Sequence, residues 1–345
     1  MNIWQGKRVL ITGHSGFKGG WLSMMLQRAG ASVAGLSLLP STEPNLLGVA
    51  GIDALVESHF GDIRTADVVD RAFAAVKPEV VFHMAAQALV RKSYADPVET
   101  FTTNVMGTVN VLDAVRRTPS VMAVVNVTSD KCYENRETIW AYREYDPMGG
   151  SDPYSSSKGC AELVASAYRK SFLGSSKLVS VRAGNVIGGG DWSADRLVPD
   201  CVRAFSRKQA VVLRNPGSLR PWQHVLEPLA GYRMVAEALL AGKELAPAYN
   251  FGPSQEQTQP VGTVVRAVAN CWGEEAGWEQ DSQPSPPEAK VLALDSTLAR
   301  TGLGWMPRLS LEECVEWTVE WYKRHLAGED MGRFTAAQIE IYQAR

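Results

Sequence analysis

The sequence predicts an α/β fold in which a doubly wound parallel sheet is joined to a smaller mixed α/β lobe. Short apolar runs alternate with helix-periodic segments through the first half of the chain, which is typical of strand–helix–strand units in a parallel sheet. A glycine turn connects the first strand to the first helix. After Gly184-Asn185 the alternation ends, and segments rich in proline and glycine separate shorter elements.

The first strand and helix have the context of a dinucleotide-binding turn. Residues 7–12 have a buried-strand pattern, and residues 21–26 have a helical period that closes before Gly30. Between them lies Gly13-His14-Ser15-Gly16-Phe17-Lys18-Gly19, whose glycines would let the backbone approach a pyrophosphate at the helix N-terminus. The spacing G-x-x-G-x-x-G differs from the Rossmann fingerprint G-x-G-x-x-G, and a plain tight turn is the alternative.

The second strand, within residues 33–39, favours NAD over NADP as the cofactor. An acidic residue at its end would hold the adenosine ribose of NAD, but the first acid after it is Glu43. No lysine or arginine stands between Arg28 and Arg64, so no nearby cation is available for the extra phosphate of NADP. NAD is therefore predicted by elimination.

Two further strands add candidate cofactor contacts. Residues 55–60 have a strand pattern, and Asp62 and Ile63 follow it, with Asp62 placed to accept a hydrogen bond from the adenine amine. Alternatively, Asp62 caps the next helix, because helix-start signals follow it. The fourth strand, within residues 78–84, runs into Ala85-Ala86, whose small side chains would let the cofactor lie against the backbone.

Tyr154 and Lys158 form a candidate catalytic pair. A helical pattern spans residues 97–117, a strand pattern spans 121–128, and the next helix carries this pair four residues apart, hence on one face. An ammonium beside a phenol favours the phenolate, so Tyr154 could exchange protons near neutral pH instead of near its reference pKa of ~10. Tyr154 is thus a candidate general base, and a solvated surface pair is the alternative. Residues 178–182 add one more strand.

The end of the strand–helix alternation after residue 185 predicts two lobes. A returning strand is expected at residues 249–252, and the amphipathic stretch 311–326 is interpreted as core packing. The predicted boundaries are 1–185 for the NAD-binding domain, with a returning piece at about 224–256, and 186–223 plus 257–345 for the substrate lobe.

Composition excludes several classes of protein. A net charge of −2 over 345 residues, without a lysine or arginine run, argues against nucleic acid or an anionic membrane as a partner. Five scattered cysteines and five histidines lack metal-ligand spacing, so we expect a reduced compartment and no metal centre. The first apolar run is too short for a signal peptide or membrane span, so a cytoplasmic protein is expected.

Together these motifs resemble the extended short-chain dehydrogenase/reductase family. Its pattern is matched by Thr12-Gly13-x-x-Gly16-x-x-Gly19, by Thr128 at a strand end and by Tyr154-x-x-x-Lys158. Within the family, the chain resembles nucleotide-sugar dehydratases from about residue 6 to 305. The segments that carry this closer resemblance are 13–19, 83–87, 128–133, 182–192 and 220–225. Asp130-Lys131 is the sharpest feature, since relatives that act on dTDP- or GDP-sugars have aspartate followed by glutamate there.

The resemblance implies a hydro-lyase that converts CDP-glucose to its 4-keto-6-deoxy form, a first step towards deoxysugars such as those of lipopolysaccharide O-antigen. NAD⁺ would take a hydride from C4 and return it to C6. Tyr154, held by Lys158 and Thr128, would remove the proton of the 4-hydroxyl. Asp130 would protonate the departing 6-hydroxyl, and Lys131 would remove the C5 proton or stabilise the enolate.

The resemblance also implies substrate contacts and an assembly. Arg220 is similar to the diphosphate-binding arginine of the family, for which a guanidinium fork is well suited. The other residues in substrate-facing segments are Gln87, Asn185, Arg196 and Asn250, each with a purely structural role as the alternative. A homodimer, or a dimer of dimers, is implied through the helices around residues 103–117 and 153–173.

Two departures from the relatives bear on base specificity. Ser-Pro-Pro-Glu-Ala at residues 285–289 replaces a histidine-rich stretch, and the segment 171–177 is shorter. The alternatives are another NAD-dependent nucleotide-sugar dehydratase or 4-epimerase and, from a different class, a non-catalytic NAD-binding scaffold.

Overall fold

A computed structural model describes residues 2–174, 177–254, 257–273, 277–281 and 291–345. The strands are β1 (Arg8–Thr12), β2 (Ser32–Ser37), β3 (Glu57–Phe60), β4 (Val80–His83), β5 (Ala123–Val127), β6 (Leu178–Ala183), β7 (Val186–Ile187), β8 (Val211–Leu213), β9 (Leu219–Pro221), β10 (Gln223–His224), β11 (Ala248–Phe251), β12 (Thr258–Pro260) and β13 (Trp278–Gln280).

The helices are α1 (Phe17–Arg28), α2 (Leu46–Val49), α3 (Ala66–Val76), α4 (Val90–Ala95), α5 (Pro97–Phe101), α6 (Gly107–Arg117), α7 (Pro153–Tyr168), α8 (Leu197–Phe205), α9 (Leu226–Leu240), α10 (Val261–Trp272), α11 (Thr297–Leu303), α12 (Leu311–Leu326) and α13 (Met331–Ala344). Short 3₁₀ turns lie at Ile52–Ala54 and Asp130–Cys132, and π-helical turns lie at Thr102–Met106 and Arg169–Leu173.

A parallel sheet of seven strands forms the centre of the described chain. Its strand order is β11-β6-β5-β4-β1-β2-β3, and every neighbouring pair is parallel. The order reverses between β1 and β4, because the chain crosses back over β1 after β3. In doubly wound sheets such a reversal opens a crevice at the carboxyl ends of the strands, where ligands bind.

Alternating side chains along the strands form two apolar layers. Val9 and Ile11 of β1 belong to the larger core, which also contains Trp21 of α1 and Tyr232 of α9. Leu10, between them, points to the opposite layer, formed with α3 and α6. Because successive strand residues face opposite sides, one short apolar run is buried on both faces of the sheet.

The predicted elements are present, with shifted ends. The strand expected at residues 55–60 begins at Glu57, and the helix expected over 97–117 is divided by the π-helical turn Thr102–Met106. The strand expected at 249–252 is β11, which returns to the sheet beside β6. The domain boundaries themselves stay predictions.

The second half of the chain also supplies a smaller lobe. Within the described ranges it contains the two-stranded pairings of β10 with β7, β12 with β9 and β13 with β8, together with α8 and α10. Helix α12 occupies the predicted residues 311–326 and begins with a capping box between Ser310 and Glu313. Residues 285–289, where the sequence departs from its relatives, lie outside the described residues.

None of the helices in the described ranges has both the length and the apolar character needed to cross a membrane. The same ranges contain no group of three or more histidine, cysteine, aspartate or glutamate side chains arranged to hold a metal ion.

Candidate active site

A cavity of about 620 Å³ opens at the carboxyl edge of the sheet. Its walls come from the segments that follow β1 to β6, from α7, and from the loop before α8. A second cavity of about 260 Å³ adjoins it and shares Asn185, Arg214 and Arg220 with it. Together, the two cavities are lined by the carboxyl edge of the sheet and by the smaller lobe.

The glycine turn forms a tight cradle at one end of the main cavity. Gly13 has φ +83°, and a Cβ there would lie 2.8 Å from the backbone nitrogen of Ala85. A Cβ on Gly19 would lie 2.1 Å from the carbonyl oxygen of Gly13. Helix α1 starts at Phe17, and its N-cap residue Gly16 makes no side-chain cap. The first amides of α1 can therefore bind a pyrophosphate, as NAD requires.

The adenosine end of the cradle contains an ion pair that the sequence did not predict. Asp62 and Ile63 line the cavity as expected, but Arg64 lines it too. Arg64 Nε donates to Asp62 Oδ2 at 2.8 Å. The alternative role of Asp62 as a helix cap is not seen, because the N-cap of α3 is Thr65. The charge of Arg64 at this end of the cavity is paired with Asp62.

The segment after β4 forms the floor of the cavity. Ala85 and Ala86 line it, in agreement with their predicted position. Gln87 lines it as well, but its side-chain amide donates to Thr100 Oγ1 at 2.9 Å and to the Leu89 carbonyl at 3.1 Å. A sugar contact from Gln87 therefore stays a prediction.

Helix α7 delivers Tyr154 and Lys158 to the cavity from one face. Its N-terminus is fixed by Asp152, which accepts a hydrogen bond from the amide of Ser155 at 2.9 Å. Both Tyr154 and Lys158 are buried. The Lys158 ammonium lies 3.5 Å from the carbonyl oxygen of Val127, and burial lowers its pKa to about 8.

The electrostatics of Tyr154 differ from the sequence-based expectation. Burial raises its pKa to about 12, while a hydrogen bond with the Ser129 side chain lowers it. The nearby Asp130 also raises the pKa of Tyr154. Desolvation penalises the phenolate more than the surrounding groups favour it, so the lowering predicted from the Tyr–Lys spacing is not found here.

Ser129, which the sequence analysis did not select, is the hydroxyl residue that reaches Tyr154. The predicted partner, Thr128, instead donates its hydroxyl to Glu162 Oε1. The backbone is extended at Ser129 (φ −157°, ψ 160°), so neighbouring side chains point to opposite sides. Two adjacent hydroxyl residues at a strand end cannot both face Tyr154, and the alternation along β5 is the signal that could have separated them.

Asp130 is a buried carboxylate at the start of the 3₁₀ turn Asp130–Cys132. Its Oδ1 accepts a hydrogen bond from Ser129 Oγ at 2.9 Å. Its Oδ2 is buried without a hydrogen-bond partner among the described residues. Burial raises the pKa of Asp130, with Lys131 and Arg220 opposing that rise. Lys131 lines the same cavity and is half-buried.

Further cationic side chains surround this part of the cavity. Arg196 pairs with Asp191 at 2.9 Å, and Arg220 is buried where the two cavities meet. Lys18, from the glycine turn, was not predicted as a site residue. Burial, with help from Arg196, lowers the pKa of Lys18 to about 7. A glycine motif predicts backbone contacts with a dinucleotide, and it carries no signal for the side chain of a lysine within it.

A buried ion pair lies behind the catalytic candidates. Arg182 of β6 donates to Glu162 of α7 through Nε at 2.7 Å and through a second nitrogen at 3.0 Å. Glu162 also accepts from Thr128, so one carboxylate joins α7, β6 and the end of β5. Arg182 in turn donates to the Tyr133 hydroxyl at 2.7 Å.

The structure does not bring Asn250 to the cavity, which corrects its predicted substrate contact. Asn250 Oδ1 accepts from the Tyr133 hydroxyl at 2.7 Å, and its amide nitrogen donates to the Tyr142 carbonyl at 2.9 Å. The side chain is fully buried and serves the packing of β11. Asn185, by contrast, lines both cavities.

Comparison with known families places the chain among nucleotide-sugar enzymes. Residues 9–252 match the NAD dependent epimerase/dehydratase family. The chain is 51% identical over 351 aligned residues to a CDP-glucose 4,6-dehydratase of Salmonella typhimurium, with 99% of this chain and 98% of that protein covered.

Solved structures share the same architecture. A UDP-glucose 4-epimerase of Thermus thermophilus, solved with NAD, is 27% identical with a TM-score of 0.78, covering 92% of this chain and 99% of that one. A dTDP-glucose 4,6-dehydratase of Bacillus anthracis, also solved with NAD, is 23% identical with a TM-score of 0.78, covering 92% and 97%. The second likeness is one of fold.

Proposed function

The chain belongs to the NAD dependent epimerase/dehydratase family, and from that premise we propose that it is a CDP-glucose 4,6-dehydratase. It is a hydro-lyase that converts CDP-glucose to CDP-4-keto-6-deoxyglucose. The geometry that supports this best is the hydrogen-bonded contact of the buried acid Asp130 with Ser129 beside Tyr154. A 4-epimerase needs the tyrosine but no acid for an elimination.

The cofactor is NAD, whose dinucleotide fits the glycine cradle. When bound, NAD⁺ supplies the hydride acceptor for C4 and the hydride donor for C6, so the redox change is internal. Gly13, Gly16 and Gly19 let the pyrophosphate reach the N-terminal amides of α1, where Phe17 begins the helix. Asp62, Ile63, Ala85 and Ala86 line the remaining path along the sheet edge.

Tyr154 removes the proton of the sugar 4-hydroxyl. Lys158 lies one helical turn further along α7, and Ser129, at the end of β5, holds the phenol. Once C4 is a ketone, the proton on C5 becomes acidic, because the resulting carbanion is delocalised as an enolate. The same three residues then keep the ketone oxygen in place during elimination.

Asp130 and Lys131 divide the elimination between them. Burial favours the protonated form of Asp130 because it raises the pKa, so this carboxyl can give a proton to the departing 6-hydroxyl. Its Oδ2, which has no hydrogen-bond partner among the described residues, is the atom suited to that contact. Lys131, on the same cavity wall, removes the C5 proton or stabilises the enolate.

The nucleotide occupies the second cavity and its junction with the first. Arg220 stands at that junction and binds the diphosphate, for which a guanidinium fork is suited. Asn185 lines both cavities, Arg196 lies beside Tyr154, and Gln87 is on the floor near the sugar. Each contact belongs to the proposal.

A homodimer is part of the same proposal, as are a cytoplasmic location and a role in supplying O-antigen deoxysugars. Large apolar side chains are exposed on the helical face formed by α5, the π-helical turn Thr102–Met106 and α7: Val98, Phe101, Met106 and Leu163. These side chains lie in or next to the helices, around residues 103–117 and 153–173, through which the family resemblance implies dimerisation. A second copy would remove these side chains from water.

The function is tested by incubating the purified protein with NAD⁺ and, separately, with CDP-, dTDP-, UDP- and GDP-glucose. The 4-keto-6-deoxy product is detected by its absorbance in alkali. Product from CDP-glucose alone is expected. Product from another nucleotide would keep the reaction and replace the substrate, whereas 4-epimerised sugar without a keto product would overturn the dehydratase.

A further inference from the structure

We propose that Ser129 carries one proton per turnover from Tyr154 to Asp130 within the site. The inference rests on the proposed dehydration and adds to it a path by which the enzyme resets its acid and its base. Ser129 is thereby assigned a task beyond holding Tyr154 in position.

The proton balance of the reaction demands such a transfer. Tyr154 gains the proton of the 4-hydroxyl when C4 is oxidised. Asp130 loses a proton when the C6–O bond breaks and water leaves. The base that takes the C5 proton gives a proton back to C5 when the hydride reaches C6, so it ends as it began. Each turnover thus leaves Tyr154 protonated and Asp130 ionised, and one proton has to move from the first to the second.

The structure places one hydroxyl between these two groups. Ser129 Oγ donates to Asp130 Oδ1 at 2.9 Å, and the Ser129 side chain also lies close enough to the Tyr154 phenol to lower its pKa. Ser129, Asp130 and Tyr154 line the same cavity. All three residues are buried, with exposures of 8% for Ser129, 3% for Asp130 and 8% for Tyr154. Because Oδ1 is engaged with Ser129, Oδ2 of the same carboxyl is left for the 6-hydroxyl.

The transfer is a concerted shift along two hydrogen bonds. Ser129 Oγ receives the phenolic proton of Tyr154 and gives its own proton to Asp130 Oδ1. The O–H bonds of Tyr154 and Ser129 break, and new O–H bonds form on Ser129 and Asp130, so no outside reactant is needed. Since both arrangements hold the same number of protons, the pH of the solution does not change their ratio.

Two neighbouring hydroxyl residues do not offer this path. Thr128 donates its hydroxyl to Glu162 on the other side of β5. Ser93 touches Tyr154 at the backbone, where its Oγ accepts the Tyr154 amide at 3.2 Å. Ser93 is therefore the matched control, since Ser93→Ala removes a buried hydroxyl beside Tyr154 without touching the phenol.

The experiment compares wild type, Ser129→Ala, Ser129→Thr and Ser93→Ala with NAD⁺ and CDP-glucose. Product is measured in a single turnover and over many turnovers, at constant pH and ionic strength, with increasing imidazole as a small proton carrier. For Ser129→Ala we expect the first turnover to slow by about 10-fold and continuous turnover by about 10²–10³-fold, typical of lost proton transfer. Imidazole should restore continuous turnover several-fold.

Wild type, Ser129→Thr and Ser93→Ala should not respond to imidazole. Wild type has the bridging hydroxyl, a threonine in place of Ser129 would keep it, and the Ser93 hydroxyl, which donates to the Val90 carbonyl, takes no part in the transfer. Thermal unfolding of each variant checks that it is folded. If Ser129→Ala shows the wild-type ratio of continuous to first turnover and does not respond to imidazole, the proposed proton transfer through Ser129 is overturned, while the dehydration stands. If wild type makes no keto sugar from any of the nucleotide sugars, the proposed function fails, and the proposed proton transfer fails with it.

Discussion

At the scale of single residues, burial sets the protonation states on which the proposed reaction depends. It raises the pKa values of Tyr154 and Asp130, and it lowers those of Lys158 and Lys18. Every one of these shifts favours the neutral form of the group. For Asp130, the raised pKa favours the protonated carboxyl that the proposed elimination needs. For Tyr154, it disfavours the phenolate that would act as the base. A direct transfer of the proton from Tyr154 to Asp130, as proposed, would restore the phenolate and the protonated acid together.

Replacement of Asp130 by asparagine should separate oxidation from elimination. Asparagine keeps an oxygen for the Ser129 hydrogen bond but has no proton to give to the 6-hydroxyl. We expect formation of keto-deoxy product to fall by about 10²–10⁴-fold, the usual contribution of a general acid. A rapid-quench assay should still find C4 oxidised on the enzyme. Equal loss of both steps would show that Asp130 is needed for oxidation as well.

The same substitution should stabilise the fold at neutral pH. The folded-state pKa of Asp130 is raised above the unfolded value of ~3.9, so the wild type loses stability as pH rises from the unfolded value through the folded one. Asp130→Asn escapes this loss and should exceed wild type by about 1–3 kcal/mol above that window, the cost of an unsatisfied buried group.

Below pH ~3.9, where Asp130 is protonated in both states, the two curves should converge. Urea titrations across pH measure the difference in the free energy of unfolding. A pH-independent difference would mean that the carboxylate is not the cause.

A site residue could be predicted from the sequence where its spacing determines which way its side chain points. Tyr154 and Lys158 share a helical face, and the structure places both in the cavity. Ser129 and Thr128 are adjacent hydroxyl residues, and the one that faces Tyr154 is set by the direction of the side chains at the end of β5, which alternation along the strand could have indicated. Asn250 lies in a segment that resembles the substrate-facing segments of relatives, but its side chain is hydrogen-bonded to Tyr133 and Tyr142 within the fold.

At the scale of elements, the site depends on how α7 is fixed against the ends of β5 and β6. Tyr154, Lys158 and Glu162 follow one another at four-residue intervals on α7. Glu162 binds Arg182 of β6 and Thr128 at the end of β5, while the other two face the cavity. One helix face thus presents the proposed base, Tyr154, and is anchored to β6 and to the end of β5.

Glu162→Gln should destabilise the protein strongly. It leaves Arg182 as a buried charge without its counterion, which typically costs about 3–5 kcal/mol. The matched control is Glu320→Gln on α12, where the exposed Glu320–Arg324 pair at 2.8 Å should contribute less than about 1 kcal/mol. Chemical denaturation of both variants tests this. A loss for Glu162→Gln no larger than for Glu320→Gln would show that the buried pair is dispensable.

At the scale of the whole molecule, the parallel sheet was predictable because both faces of each central strand are buried. That burial gives continuous apolar runs, and their alternation with helical periods specifies the topology. The second lobe was predictable only from the end of the regular alternation of strand and helix patterns after residue 185. Its short strands, such as β7 and β10, pair over two residues each, too few to produce a period in the sequence. Its pairings depend on contacts far apart in the chain.

The exposed apolar face on α5 and α7 leads to a prediction about assembly. Leu163 is 61% exposed and Val98 is 70% exposed, the first of them on the helix that carries Tyr154. Sedimentation should find a homodimer, and Leu163→Arg should weaken it by about 100-fold, since burying a leucine contributes ~1.5–3 kcal/mol and a charge in its place adds a further cost.

The control for this variant is Val212→Arg. Val212 is 58% exposed on β8, outside the helical segments that form the proposed interface, and its replacement should leave the dimer intact. A monomeric wild type, or a Leu163→Arg variant as dimeric as the control, would contradict the assignment of this face. A dimer through α7 would matter for catalysis, because the helix that each copy packs against its partner is the one that holds Tyr154 and Lys158 in its own cavity.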